Sequence, residues 1–212
     1  MSTYAIKADK FFLPAGPQLG GYLMVEDGVF GAWQADEPAC EIKDYSGTWI
    51  APGMVDTHIH GFYNHATTDN DAEGINISST ELARRGTTSW LPTTFTDGAL
   101  SAKGVVTCIG HSDATYDECA AAINAGVSCF THTYNGQRGL HHREPGVVGA
   151  AMTTPNTYAE IICDGKHVNP AAIKALLQAK GWQHTVLITD CLGCGGMPEG
   201  KYTSGGMDVV MK

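Results

Sequence analysis

The chain has 212 residues, of which 43% are hydrophobic and 17% are charged. This composition excludes a disordered polymer, because it supplies enough apolar material for a packed core. The formal net charge is −9 and the chain contains no basic run, which argues against a nucleic-acid partner and against an anionic membrane surface.

The seven cysteines are scattered and mostly lie in apolar runs, as around Cys129. This pattern favours reduced thiols in a cytosolic protein over a disulfide framework. The N-terminus lacks a long apolar segment, and no stretch approaches the ~18 apolar residues that a membrane span needs. We therefore expect a cytoplasmic protein without a membrane partner.

The first fifty residues predict a small antiparallel β unit. Asp27-Gly28 separates two apolar runs, which is a hairpin signal. Residues 1–50 are too few to close a β-sandwich alone, so we interpret them as part of one, and residues 51–212 as a second domain. The β-like segments of this unit are Tyr4–Ile6, Tyr22–Val25 and Val29–Trp33.

From Ala51 onward, short apolar strands alternate with helices, which predicts an α/β fold with a parallel sheet. The strand candidates are Met54–His58, Thr88–Thr94, Val105–Ile109, Val127–Thr131, Ala159–Cys163 and Thr185–Thr189. The helix candidates are Ser78–Arg85, Tyr116–Ala125 and Pro170–Lys180. The last helix has clear ends, since Asn169 can cap it and Gly181 follows it.

One connection is too short for this scheme. Residues 96–104 join the second and third strand candidates, whereas a parallel crossover needs at least ~10–12 residues. Either the pairing there is antiparallel or a segment is absent from this sequence.

Polar side chains follow the ends of these strands. In parallel α/β folds the active site lies at the carboxyl ends of the strands, so these residues are expected to meet at one rim. The residues concerned are His58, His60, His111, His132, the Asp164–His167 segment and Asp190.

His58 and His60 lie two residues apart, and on a strand such residues face the same side. Together with His111 and His132 they predict a metal site, and neutral imidazole suits zinc or iron. The alternatives are a surface turn for the His58–His60 pair and hydrogen-bonded structural roles for the other two histidines.

Asp190 closes the last apolar strand and is predicted to be the catalytic proton shuttle between the attacking water and the leaving group. The alternative is a helix cap. Arg143 and His167 are predicted to bind substrate, because Arg143 lies in a long connection and its guanidinium suits a phosphate. A surface ion pair of Arg143 with Glu144 is the alternative.

Two other patterns carry little weight. Cys191 and Cys194 have the spacing of a metal or redox pair, but neither a second pair nor a thioredoxin-like context accompanies them. Ser112 follows His111, yet the chain has no GxSxG elbow, which argues against a serine hydrolase.

Six segments occur in a specific order: PGMVDTHIHG, GHSDAT, THTYNG, HHREPG, CDGKH and ITD. Together they resemble the N-acetylglucosamine-6-phosphate deacetylases of the amidohydrolase superfamily, from about Trp49 to the C-terminus. The resemblance implies a TIM-like (β/α) metallo-dependent hydrolase barrel, with a small β-sandwich at the N-terminus. It implies hydrolysis of the acetamide of N-acetylglucosamine 6-phosphate to glucosamine 6-phosphate and acetate.

The resemblance also implies roles for individual residues. His111 and His132 match ligands of the main metal, His58 and His60 match a second-metal pair, and Asp190 matches the catalytic aspartate. The substrate-binding positions are Asn135, Gly136, Arg143 and His167. The implied cofactor is one or two divalent ions, zinc or iron, and the implied partners are an amino-sugar phosphate and a second copy of the chain in a homodimer.

The sequence departs from this pattern in one region. The family carries a metal-binding glutamate in a segment of the form HxEGP before GHS, and this chain has none. Six strands are found instead of eight, so the resemblance implies that an internal segment and the C-terminal part are lacking. Two alternatives stay open: an amidohydrolase acting on another amide, and an inactive relative that binds metal or sugar phosphate without turnover.

Overall fold

The structure is a computed structural model that describes residues 3–67, 69, 71–93, 106–204 and 207–212. The chain divides into two compact units, Met1–Met54 and Val55–Lys212. Within the described ranges, no helix combines the length and the apolar character that crossing a bilayer requires.

The first unit is a five-stranded sheet. Its order is β2-β1-β3-β4, and β5 pairs with β1 in parallel. The hairpin predicted at Asp27-Gly28 is confirmed, because Glu26 pairs with Val29 and both turn residues have a positive φ. The strands are β1 (Thr3–Leu13), β2 (Gly16–Leu19), β3 (Tyr22–Glu26), β4 (Val29–Gln34) and β5 (Glu41–Ile50).

The second unit alternates strands and helices, as predicted. Its first strands are β6 (Met54–Ile59), β7 (Gly61–Phe62), β8 (His65–Ala66), β9 (Thr87–Pro92), β10 (Cys108–Ile109) and β11 (Cys129–Phe130). Its later strands are β12 (Tyr158–Ile162), β13 (Thr185–Ile188), β14 (Gly200–Ser204) and β15 (Met207–Met211). The helices are α1 (Ala72–Ala83), α2 (Tyr116–Asn124), α3 (Gly146–Thr153) and α4 (Pro170–Lys180).

Six of these strands form an open arc. The strands β10, β11, β12 and β13 pair in that order and are all parallel, which confirms the predicted parallel sheet. A parallel bridge between Ile59 and Cys191 links β6 to the end of β13, and β6 pairs with β9. In the described residues, β9 and β10 are therefore the two edges of the arc. The short connection 96–104 between them lies outside the described residues, as do Thr94 and Val105 of the predicted strands.

The helices pack against the arc and fix the positions of its strands. Phe130 of β11 is fully buried against Cys119 of α2 and Val147 of α3. Ile161 of β12 packs in the same way against Leu176 of α4. Because these strands are anchored by buried side chains, their carboxyl ends are held at defined positions.

Two helices differ from the sequence prediction. Helix α1 starts at Ala72 rather than Ser78, and its buried face consists of Gly74, Ser78 and Leu82. The first turn was not predicted because glycine is a weak helix former. Helix α3 was not predicted, since its residues 146–151 are all buried and the segment therefore lacks the polar face that reveals a helix.

Candidate metal centre

Three histidines and one carboxylate lie close together at the carboxyl ends of the strands that form the arc. The Asp190 Oδ1 atom lies 3.4 Å from His58 Nε2 and 3.5 Å from His60 Nε2, and Asp190 Oδ2 lies 3.9 Å from His132 Nε2. Ligand atoms of His58, His60 and Asp190 all lie within 4.8 Å of one another. We call His58, His60, His132 and Asp190 the histidine–aspartate cluster.

His111 adjoins this cluster from the end of β10. Its ring centroid lies 4.8 Å from that of His132, and its side of the site is exposed. The structure therefore brings together all five residues that the sequence marked as metal ligands or catalytic acid–base, while their roles stay predictions.

The backbone at three of these strand ends is strained. His111, His132 and Asp190 have φ values of +22°, +29° and +54°, in the region that residues other than glycine rarely adopt. Each lies two positions after the last residue of its own strand. Strain that recurs at equivalent positions is typical of functional sites, where the surrounding fold enforces it.

A buried carboxylate ties β6 to β13 beneath the cluster. Asp56, 4% exposed, accepts hydrogen bonds from Thr189 Oγ1 at 2.5 Å and from the His58 backbone N–H at 3.2 Å. The Asp190 backbone N–H donates to the His58 carbonyl at 3.0 Å. These bonds hold Asp190 beside His58 without using the metal-facing atoms of either residue.

The electrostatics of two of the imidazoles suit a metal. Burial lowers the pKa of His60 and of His132, so both rings favour the neutral form whose lone pair can bind a cation. His132 Nδ1 is buried and has no hydrogen-bond partner in the described part of the chain. Three imidazoles and one carboxylate form a donor set that fits zinc or iron.

Sequence reasoning missed Glu160. This residue of β12 is 6% exposed, and its Oε2 atom lies 2.8 Å from His58 Nδ1. Burial, the largest single influence, lowers the pKa of His58, but the Glu160 hydrogen bond and the charges of Glu160 and Asp190 raise it, and the net shift is upward. The available signal was one acidic residue inside the apolar strand YAEII, because buried carboxylates need a partner.

A cavity of about 510 Å³ opens beside His111. Gly136 lines it with a φ of +59°, and a Cβ atom there would lie 3.1 Å from His111 Cγ. The Asn135 backbone N–H donates to the His132 carbonyl at 3.0 Å. The predicted substrate residues Asn135 and Gly136 therefore lie beside the histidines. The cavity is lined by His111, Ser112, Asp113, Gly136, Gln137 and Arg138.

The other two predicted substrate residues do not line this cavity. Arg143 is exposed, and its neighbour Glu144 accepts the backbone N–H groups of Tyr116 and Gly146. His167 is exposed in the loop after β12, where its Nδ1 lies 2.7 Å from an Asp164 carboxylate oxygen.

An arginine and two cysteines lie near the cluster. Arg138 faces the cavity although the sequence analysis did not single it out, and its guanidinium makes two 2.9 Å hydrogen bonds to Asp113. Cys191 and Cys194 are free thiols, and burial raises the pKa of Cys191 to about 11. A protonated thiol is a poor nucleophile and metal ligand, which agrees with the small weight given to this pair.

The parallel strands of the arc carry an HxH pair, further histidines and an aspartate at their carboxyl ends, as the resemblance to metal-dependent amidohydrolases predicts. Within the amidohydrolases, this chain is similar to deacetylases of amino-sugar phosphates. The chain is 50% identical over 113 residues to an N-acetylglucosamine-6-phosphate deacetylase from Vibrio furnissii, covering 53% of this chain and 28% of that relative. It is 27% identical over 292 positions to an N-acetylgalactosamine-6-phosphate deacetylase from Escherichia coli O157:H7, covering 99% of this chain and 77% of that relative. The predicted resemblance to amino-sugar-phosphate deacetylases is thus confirmed.

Solved structures share the fold. An N-acetylglucosamine-6-phosphate deacetylase from Pasteurella multocida superposes with a TM-score of 0.85 at 20% identity, covering 100% of this chain and 77% of that one. The Mycobacterium smegmatis enzyme superposes with a TM-score of 0.75 at 23% identity, covering 98% and 78%. No family model matches the chain. The 292-position alignment is longer than this chain, so that relative contains residues within the matched span that have no counterpart here.

Proposed function

We propose that this chain hydrolyses the acetamide of N-acetylglucosamine 6-phosphate, giving glucosamine 6-phosphate and acetate. The observation that carries the proposal is the histidine–aspartate cluster, in which Asp190 lies within 3.4–3.9 Å of three imidazole nitrogens. The similarity to deacetylases over 113 residues at 50% identity supports the same reaction.

A second candidate is the epimeric substrate, N-acetylgalactosamine 6-phosphate. Relatives named for this substrate include the Escherichia coli O157:H7 protein and a Shewanella protein, the latter 48% identical over 93 residues. Because identity to the two groups is similar, the assay must compare both sugars.

We further propose that the open arc is a (β/α) barrel that lacks strands between β9 and β10. The direct bridge between Ile59 and Cys191 supports this interpretation, since β13 joins β6 without an intervening strand. The residues of the Escherichia coli O157:H7 relative that have no counterpart in this chain would then lie between β9 and β10, the only opening that the described part of the arc has.

The residues fit a divalent metal, zinc or iron, held by His111 and His132 with His58 and His60 as a second-site pair. When bound, the metal supplies a Lewis acid that polarises the acetyl carbonyl and acidifies water. Asp190 lies between the imidazoles, so its carboxylate can accept the proton of the water that attacks the carbonyl carbon. As the C–N bond breaks, Asp190 gives this proton to the departing sugar nitrogen, and acetate is released.

The substrate's phosphate is proposed to bind the Asn135–Gly136 backbone together with Arg143 and His167. Gly136 borders the cavity beside His111, and Arg143 is exposed and available to an anion. A guanidinium can hold phosphate oxygens in a bidentate manner. In the homodimer expected from the resemblance, the phosphate pocket would lie near the contact between subunits.

The test measures acetate and free amine released from both sugar phosphates, with the purified chain loaded with Zn²⁺ or Fe²⁺. We expect the Asp190→Asn variant to bind metal and to lose at least about 10²-fold in kcat, the lower range for general acid–base catalysis. Unchanged turnover in this variant would contradict the role of Asp190. A metal-loaded wild-type chain that binds sugar phosphate without releasing acetate would instead support the inactive relative.

A further inference from the structure

Glu160 is an acidic side chain in a strand whose residues from Ala159 to Ile162 are otherwise apolar and buried. Its neighbours Ala159 and Ile161 are fully buried, and Glu160 itself is 6% exposed. A carboxylate without a partner is costly at such a position. Its role is therefore to be sought in the group that it contacts, which is the imidazole of His58.

The two nitrogens of His58 face different partners. Nδ1 lies 2.8 Å from Glu160 Oε2, whereas Nε2 lies 3.4 Å from Asp190 Oδ1 within the histidine–aspartate cluster. An ionised carboxylate only accepts hydrogen bonds, so Nδ1 must carry the proton. In the neutral ring, this leaves the Nε2 lone pair directed at the cluster.

Backbone hydrogen bonds fix the position of Glu160. It pairs with Val186 in the parallel ladder between β12 and β13, and its carbonyl accepts the Thr133 backbone N–H at 2.8 Å. Thr133 directly follows His132. A carboxylate on this strand is thus fixed relative to two of the cluster's histidines, which a loop residue would not be.

We propose that Glu160 is a positioning residue of the metal centre, which fixes the tautomer and the ring orientation of His58 so that its Nε2 can bind the metal. A carboxylate that orients a metal-ligating imidazole in this way typically affects metal affinity about 10- to 100-fold. The proposal rests on the metal centre of the proposed function and not on the identity of the sugar.

The first test is the Zn²⁺ dissociation constant of Glu160→Gln, measured by competition with a chelating dye. Glutamine keeps the size of the side chain but can either accept from or donate to Nδ1, so it no longer selects one tautomer. We expect Zn²⁺ binding to weaken about 10- to 100-fold. Glu144→Gln is the matched control, because among the described residues the hydrogen bonds of the Glu144 carboxylate are to backbone N–H groups. The Zn²⁺ affinity of this variant should equal that of the wild type.

A double-mutant cycle separates positioning from direct ligation and from a general effect on folding. If Glu160 acts through His58, the Glu160→Gln effect should disappear in a His58→Ala background. An undiminished effect there would overturn the proposal, as would a wild-type Zn²⁺ affinity in the single variant.

A measurement on the wild-type protein needs no variant to fold. Nitrogen-15 NMR of the metal-free chain at alkaline pH reports which ring nitrogen of His58 carries the proton. We expect the Nδ1–H form, and a predominant Nε2–H form would overturn the proposal. Neither this spectrum nor Zn²⁺ binding depends on deacetylation, so failure of the proposed reaction would be recognised separately.

Discussion

Thr133 offers a stability prediction that can be worked out from one atom. The residue is fully buried, and within the described residues its Oγ1 atom has no hydrogen-bond partner. A buried hydroxyl without a partner costs about 1–3 kcal/mol. Valine has the same branched shape without the hydroxyl, so Thr133→Val should increase the free energy of unfolding by about 1 kcal/mol or more.

Thr157 is the matched control in the same compact unit. It is 2% exposed, but its Oγ1 donates to the Thr154 carbonyl at 3.1 Å and accepts from Lys180 Nζ at 2.6 Å. Thr157→Val leaves the half-buried ammonium with one partner fewer and should cost about 1–3 kcal/mol. The two substitutions are chemically identical, so the opposite signs arise from hydrogen bonding alone.

The assay is urea unfolding of both variants and the wild type, followed by circular dichroism without added metal. Equal slopes with shifted midpoints would show that stability has changed and not the extent of unfolding. If Thr133→Val were destabilised as much as Thr157→Val, the Thr133 hydroxyl would have a hydrogen-bond partner after all, and the reasoning would fail.

Two further predictions concern the proposed substrate residues. Arg143→Ala should raise KM for the phosphorylated sugar about 10- to 100-fold, which corresponds to the loss of one charged hydrogen bond, and should change KM for the unphosphorylated sugar little. An equal effect on both sugars would refute phosphate binding by Arg143. The control is Lys174→Ala, on the exposed face of α4. The His167 and Lys166 backbone N–H groups lower the pKa of Asp164 from 3.8 to about 2. Because the folded pKa is lower than the unfolded one, this stabilisation of the His167 loop is complete above pH ~4 and is lost as the pH falls towards 2. An NMR titration midpoint of the Asp164 carboxyl at or above 3.8 would contradict it.

The centre of the site could be predicted because its signals are local. His58 lies on β6 and His60 directly follows it, while His111, His132 and Asp190 each follow an apolar strand. Parallel pairing then brings strand ends together whatever the details of the connections. The predicted clustering of these residues is therefore correct although β10 and β11 are shorter in the structure than the sequence predicted.

What could not be predicted depends on tertiary contacts. The partner of Glu160 is 102 positions away in sequence, so its hydrogen bond to His58 has no local pattern. Arg138 and Arg143 lie five positions apart in the same connection, and only the packing of that connection before α3 decides that Arg138 faces the cavity. Helix α3 is missed for the same reason, since uniform burial removes the periodicity on which helix prediction relies.

The left-handed backbone at His111, His132 and Asp190 bears on how this protein can be engineered. Glycine would relieve the conformational strain at each of these positions, by about 1–2 kcal/mol per residue. A library sorted only for thermal robustness would therefore enrich glycine at the exposed His111 and discard its imidazole, whereas glycine at the buried His132 would also leave a cavity. Consensus or stability-guided redesign of this chain should keep His111, His132 and Asp190 unchanged. A substitution that relieves backbone strain at one of these positions also removes a side chain of the candidate metal centre.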